Sequence, residues 1–294
     1  MPLQHLYLNN NGLGPHAGIL IADALFELHA KKEEARNNGQ EVPYLETVIC
    51  GRNRLENGSM TAWARTFSVH NKVKEVKMVQ NGIRQEGISH LLSEGLTHAS
   101  DIRVLDLQDN TFTLLGAKAL ARVVPSWVEI QELGIGDSLL SPKGGVLLGE
   151  ALGLGKNEKL EILRLQYNDI TAKGLKGLAS AAKDALPALK KLEVNGNKFS
   201  EEDEAVLALQ ELFEERKEKL GGDVIDEEAW GLDSLSDLED ESDEEEEEEG
   251  DVGPEEQAEK LIKEAEEAQE EPTVQLQDKS VDDLAAKLAK TSID

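Results

Sequence analysis

Apolar residues fall at Leu3, Leu6, Leu8 and Leu13 of the opening stretch LQHLYLNNNGL, with Asn11 between the last two. Leu6 and Leu8 are two positions apart, so in an extended strand both enter one face, while His5, Tyr7 and Asn9 point the opposite way. Asn11 follows where the chain turns, and its amide suits backbone groups that no sheet neighbour reaches. One such unit cannot bury its own apolar face, so it implies copies.

The copies are present. The same frame returns at Leu45, Val48, Cys50, Asn53 and Leu55, and at Val73, Val76, Met78, Asn81 and Ile83. It continues at Ile102, Leu105, Leu107, Asn110 and Phe112, then at Ile130, Leu133, Ile135, Ser138 and Leu140, with serine replacing asparagine. Leu160, Leu163, Leu165, Asn168 and Ile170 form a sixth unit, and Leu189, Leu192, Val194, Asn197 and Phe199 a seventh. The polar positions 11, 53, 81, 110, 138, 168 and 197 are separated by 42, 28, 29, 28, 30 and 29 residues. This is the leucine-rich-repeat pattern, with one insertion in the first interval. A period near 29 has room for a strand plus a full helix, so the fold class is α/β, a solenoid of 28–30-residue repeats.

Apolar residues at helical spacing fill the gaps, at 17–29, 60–67, 88–96, 117–124, 146–152 and 175–182. Gly18, Gly87, Gly116, Gly144 and Gly174 recur near the helix starts, where backbone must pass close to the strand. Trp63 and Trp127 belong to the helical layer as core. Residues 30–44 are a polar insertion, read as an extended helix end and a loop. The repeats occupy 1–199. Residues 200–220 predict a C-terminal covering helix capped by Ser200, with Val206, Leu209, Leu212 and Phe213 turned to the last repeat. The chain starts two residues before its first repeat leucine, which leaves a raw strand edge, so N-terminal repeats are expected to be missing.

Charge divides the chain. Of the formal −28, residues 220–294 carry −24 and residues 1–219 only −4. Residues 221–257 are expected to be a disordered acidic tail, because such a run buries too little surface to offset chain entropy. Ala229, Trp230 and Leu232 stand out within it as a short apolar motif. Residues 258–294 have helix-forming composition but are marginal alone. This balance disfavours nucleic acid, whose phosphates need a basic surface, and suits a basic protein partner for the tail. No stretch approaches the ~18 apolar residues of a membrane span, and no signal peptide is evident. The single Cys50 fills an inward position, so no intrachain disulfide is possible and a reducing compartment is expected.

The six histidines lack metal-ligand spacing, and no P-loop, nucleophile elbow or dinucleotide fingerprint occurs. Neither a cofactor, a metal nor an intrinsic catalytic site is expected. The candidate surface is the rim where strands end: Asn10, Arg52, Gln80, Asp109, Asp137, Tyr167 and Gly196, each just before the repeat's polar residue. Asn9, Gly51, Val79, Gln108, Gly136, Gln166 and Asn195 precede these. The candidate partner-binding residues are Asn9, Arg52, Arg54, Gln80, Gln108, Asp109, Gln166 and Tyr167.

The words LYLNNNGLGP, ICGRNRLENGSM, KMVQNGIR, VLDLQDNTF, LRLQYNDI and NGNKFSEEDE closely resemble the Ran GTPase-activating proteins of fungi. The resemblance runs through all seven repeats and includes the acidic tail. It implies a crescent of the ribonuclease-inhibitor type, with the parallel sheet on the concave side and helices on the convex side. It also implies binding to the Ran GTPase in its GTP form, with or without a Ran-binding protein, by a monomer acting in the cytoplasm or at the nuclear envelope, in support of nucleocytoplasmic transport. A rim asparagine of the family positions Ran's own glutamine, and by motif it falls on Asn10. The family's key arginine lies N-terminal to the matching region and has no counterpart here, so impaired activation is expected. A rival reading is an acidic-tailed repeat chaperone of basic proteins such as histones; a ribonuclease-inhibitor-like binder is a third.

Overall fold

In the computed structural model, residues 2–219 and 229–239 are described. Eight short strands form one parallel sheet in sequential order, each joined to the next by a segment on the helical side. They are β1 His5–Tyr7, β2 Thr47–Ile49, β3 Glu75–Lys77, β4 Val104–Asp106, β5 Glu132–Gly134, β6 Ile162–Arg164, β7 Lys191–Glu193 and β8 Gly231–Leu232. Leu6, Val48, Val76, Leu105, Leu133, Leu163 and Leu192 pair in one row. All of that row but Leu6 are buried. The α/β leucine-rich-repeat solenoid read from the sequence is therefore the fold. Strands spaced ~4.8 Å apart on one face and helices spaced ~9 Å on the other make such a stack curve toward its sheet.

The helices are α1 Pro15–Asn37, α2 Glu56–Val69, α3 Gln85–His90, α4 Thr113–Val123, α5 Pro142–Leu152, α6 Ala172–Asp184 and α7 Glu204–Lys219. Pro15 and Pro142 occupy first-turn positions, where the missing N–H costs nothing. After α3 the chain widens into a π turn at Leu91–Gly95 and a tight turn at Leu96–His98. Gly95 there lies so close to Ala64 of α2 that a Cβ would stand 2.8 Å from its Cα. Trp63 and Trp127 are fully buried, and the Trp127 indole donates to the Leu96 carbonyl at 2.8 Å.

The insertion is fastened by cations. Lys32 is buried and donates to the carbonyls of Leu3 and of Pro43, the latter at 2.6 Å; burial lowers its pKa. Arg36 stacks over Tyr44 at 3.7 Å and donates to the Val42 carbonyl. His70, buried beneath α1, donates from Nε2 to the Leu25 carbonyl at 2.8 Å. Its pKa falls to about 4, chiefly through desolvation.

Two expectations need correction. The cap of α7 is Asp203, whose carboxylate accepts from the Ala205 N–H at 2.7 Å; Ser200 accepts instead from Glu202, inside the preceding turn. More consequentially, part of the stretch expected to be disordered tail is folded. Residues 229–239 pair with β7 as β8, and Trp230, Leu232, Leu235 and Leu238 pack on the core. The Trp230 indole donates to the Phe213 carbonyl at 3.0 Å. Four apolar side chains outweigh the acidic composition because the carboxylates around them face solvent or backbone N–H groups. The rest of the tail, residues 220–228 and 240–294, lies outside the described residues.

Candidate functional site

The rim is built by a ladder of buried amides. Asn53, Asn81, Asn110, Asn168 and Asn197 are each at most 4% exposed. Asn81 donates to the Cys50 carbonyl at 2.8 Å and accepts from the N–H groups of Asn53 and Leu55 at 3.1 and 3.4 Å. Asn197 does the same one end further on, donating to Leu165 and accepting from Asn168 and Ile170. Each amide thus satisfies groups that the strands, having ended, cannot reach. Ser138 is too short for this; its hydroxyl bonds the Gly136 carbonyl, and its own carbonyl takes the Phe112 N–H instead.

Turning the chain around each buried amide forces the preceding residue into the left-handed region. Asn10, Arg52, Gln80, Asp109, Asp137 and Tyr167 have φ between 51° and 57°, and Gly196 has φ 67°. Arg54 sits in the same region on the other side of Asn53. For a non-glycine residue this conformation costs on the order of 1 kcal/mol, least for Asn and Asp. Six consecutive repeats therefore display one side chain each from the same backbone frame, and the seventh shows glycine.

The predicted residues do not all remain available. Asn10 is exposed; its N–H donates to the Gly51 carbonyl at 2.9 Å, and its side-chain amide has no partner among the described residues. Arg52, Arg54 and Gln80 are exposed beside it in the next two repeats. Asp109 receives a hydrogen bond from Gln80; burial and the neighbouring Asp137 nonetheless raise its pKa. Asn9, by contrast, is engaged: its Oδ1 accepts from the Gly51 N–H at 2.6 Å. Gln108 and Gln166 hydrogen-bond each other at 2.7 Å across the space left by Gly136. Tyr167 donates to Asp237 at 2.8 Å, and that bond raises its pKa.

The sequence reading passed over two exposed neighbours. Tyr7 is 65% exposed on the outward face of β1, three residues before Asn10, with its ring stacked on His5 at 6.4 Å. Arg84 is exposed just before α3. Outward placement of Tyr7 was readable from strand alternation, but nothing in the repeat pattern marks one outward residue above another. Among the described residues there is no group of His, Cys, Asp and Glu able to hold a metal, and no helix is long and apolar enough to cross a membrane.

Comparison with known proteins fits this geometry. The Leucine Rich repeat family matches at residues 98–121 and 156–179. The chain is similar to the Ran GTPase-activating protein 1 of Saccharomyces cerevisiae, 40% identical over 72% of this chain and 52% of that protein. The Ran GTPase-activating protein of Drosophila melanogaster is 32% identical over 68% of this chain and 32% of its own length. The ribonuclease inhibitor of Sus scrofa is 28% identical over 68% and 41% respectively. The match spans about half the length of the yeast relative and less of the others. The resemblance drawn from the repeat words is borne out.

Proposed function

We propose, taking the chain as a relative of the Ran GTPase-activating proteins, that its rim binds Ran in the GTP form and that Asn10 positions Ran's glutamine. GTPases hydrolyse slowly in part because that glutamine must orient the attacking water, and an activator works by fixing the arrangement. A neutral amide donates and accepts at once, so it holds another amide without adding charge. The chain itself makes and breaks no bond; it is a regulator of a GTPase. The reading places its action in the cytoplasm, in nucleocytoplasmic transport.

One observation carries this reading: the rim spends left-handed backbone on non-glycine side chains, most of them exposed, and the Asn10 amide has no partner among the described residues. Gly196 demonstrates that the same turn accepts glycine, which would relieve the strain. Retaining Arg52 and Gln80 there instead is the signature of side chains kept for contact. Arg52, Arg54 and Arg84 give the Asn10 end of the rim a cationic character that suits carboxylates on the partner. Tyr7 adds an exposed aromatic anchor beside it.

Capture of Ran loaded with GTP or with GDP, across a salt series, tests the reading. Selective capture of the GTP form that persists at high salt is expected. Capture indifferent to the nucleotide and abolished by salt would favour charge-driven binding of basic proteins through the acidic tail instead.

A further inference from the structure

The rim ends differently from how it begins. At its far end Asp233 stands in for the next repeat: its two carboxylate oxygens accept from the Val194 and Asn195 N–H groups at 2.8 and 3.1 Å. The chain then turns back over the rim. The Asp237 carboxylate accepts from the Tyr167 hydroxyl at 2.8 Å and from the Asn195 amide at 3.1 Å, while its own N–H donates to Asn195 Oδ1 at 2.9 Å. The Glu239 N–H closes the turn on the Asn197 carbonyl.

Tyr167 is correspondingly laid down. Its ring covers Gly196 so closely that a Cβ there would fall 2.1 Å from Cδ1. Glycine at this rim position is therefore what lets the tyrosine reach the acidic segment. Yet Tyr167 holds the same left-handed rim position as Asn10 and is still 47% exposed. It is also the residue type best suited to anchor a protein interface.

We propose that residues 229–239 form a strap whose Asp237 latches Tyr167 and closes the C-terminal end of the rim, so that the partner's footprint ends before Tyr167 unless the strap lets go. The partner's identity rests on the function proposed above; the latch itself does not. Trp230 and β8 anchor one end of the strap, and the Asp237 contacts, made with exposed Tyr167 and half-buried Asn195, form the end that yields. Binding at Tyr167 then competes with the strap, and the strap lowers affinity by the fraction of time it is closed.

Calorimetric titration of Ran carrying a non-hydrolysable GTP analogue tests this across four chains: the unaltered protein, Asp237→Ala, Tyr167→Ala and the double variant. The latch predicts that Tyr167→Ala alone changes affinity less than about twofold, and that Asp237→Ala tightens binding about three- to tenfold, the range of one exposed charge-assisted hydrogen bond. The double variant should lose that gain. An equal loss on removing Tyr167 in both backgrounds, or no gain from Asp237→Ala, overturns the closure. Hydrogen exchange on the free chain reads the latch without Ran: the Asp237 and Glu239 amides should exchange slowly, and faster in Asp237→Ala while the repeats stay unchanged. Fast exchange at both amides in the unaltered chain overturns it. Failure of every variant to bind Ran would overturn the functional reading, leaving exchange to decide the latch.

Discussion

Asn11, Asn53, Asn81, Asn110, Asn168 and Asn197 each sit one residue beyond a rim position, and adjacent residues of the same turn do opposite work. From Asn53 onward the ladder side chain is buried and fully committed to backbone groups of its own and neighbouring repeats. The residue before it is pushed into strained backbone and aimed outward, and at Asn10 it makes no side-chain hydrogen bond among the described residues. The contrast teaches that stability and recognition are separated here by a single peptide unit. Substitutions should separate them too.

The largest effect on stability is expected at the ladder. Asn81→Ala leaves the Asn53 and Leu55 N–H groups and the Cys50 carbonyl without their partner, and at ~1–3 kcal/mol for each buried orphan the loss is on the order of 4 kcal/mol. Urea unfolding measures it; a loss under about 1 kcal/mol would dissolve the distinction between ladder and rim.

Next in size is a pH effect away from the rim. The folded pKa of His70, about 4, lies below its ordinary 6.5, so the unfolded chain binds the extra proton first. Stability should thus fall as pH drops from 6.5 to about 4, by up to roughly 3 kcal/mol. His29, Lys32 and Arg36 surround the ring and reinforce the shift. His70→Gln, which keeps an N–H for the Leu25 carbonyl, should flatten that slope in unfolding curves taken across the range.

Smaller still is the response at the rim. Gln80→Gly relieves left-handed strain while loosening the unfolded chain, so stability should stay within about 1 kcal/mol of the parent, on either side. Affinity for Ran with GTP should nevertheless fall, because the side chain is gone. A matching loss of stability and affinity would mean that Gln80 serves the fold.

The ladder and the strand faces were legible in the sequence because burial imposes a period: Leu6 and Leu8 fix a face, and Asn11, Asn53 and Asn81 fix the turn. Partner availability was not legible. Gln108 and Gln166 read as free amides, yet they meet across Gly136, a contact between residues 58 apart that repeat position alone does not disclose. The strap was missed because composition was averaged over a long acidic run, in which Trp230, Leu232, Leu235 and Leu238 are few. Their spacing, alternating and then every third residue, was the available signal. Asn10 owes its place in the account to the resemblance, since its rim position is shared by six other repeats.

Single-turnover hydrolysis of GTP on Ran, with the chain in excess and binding measured in parallel, tests the central claim most directly. Asn10→Ala should leave unfolding unchanged and Ran affinity within about threefold, while acceleration drops at least about tenfold, as for loss of one positioning contact made in the transition state. Acceleration equal to that of the unaltered chain would remove Asn10 from the mechanism and contradict the account.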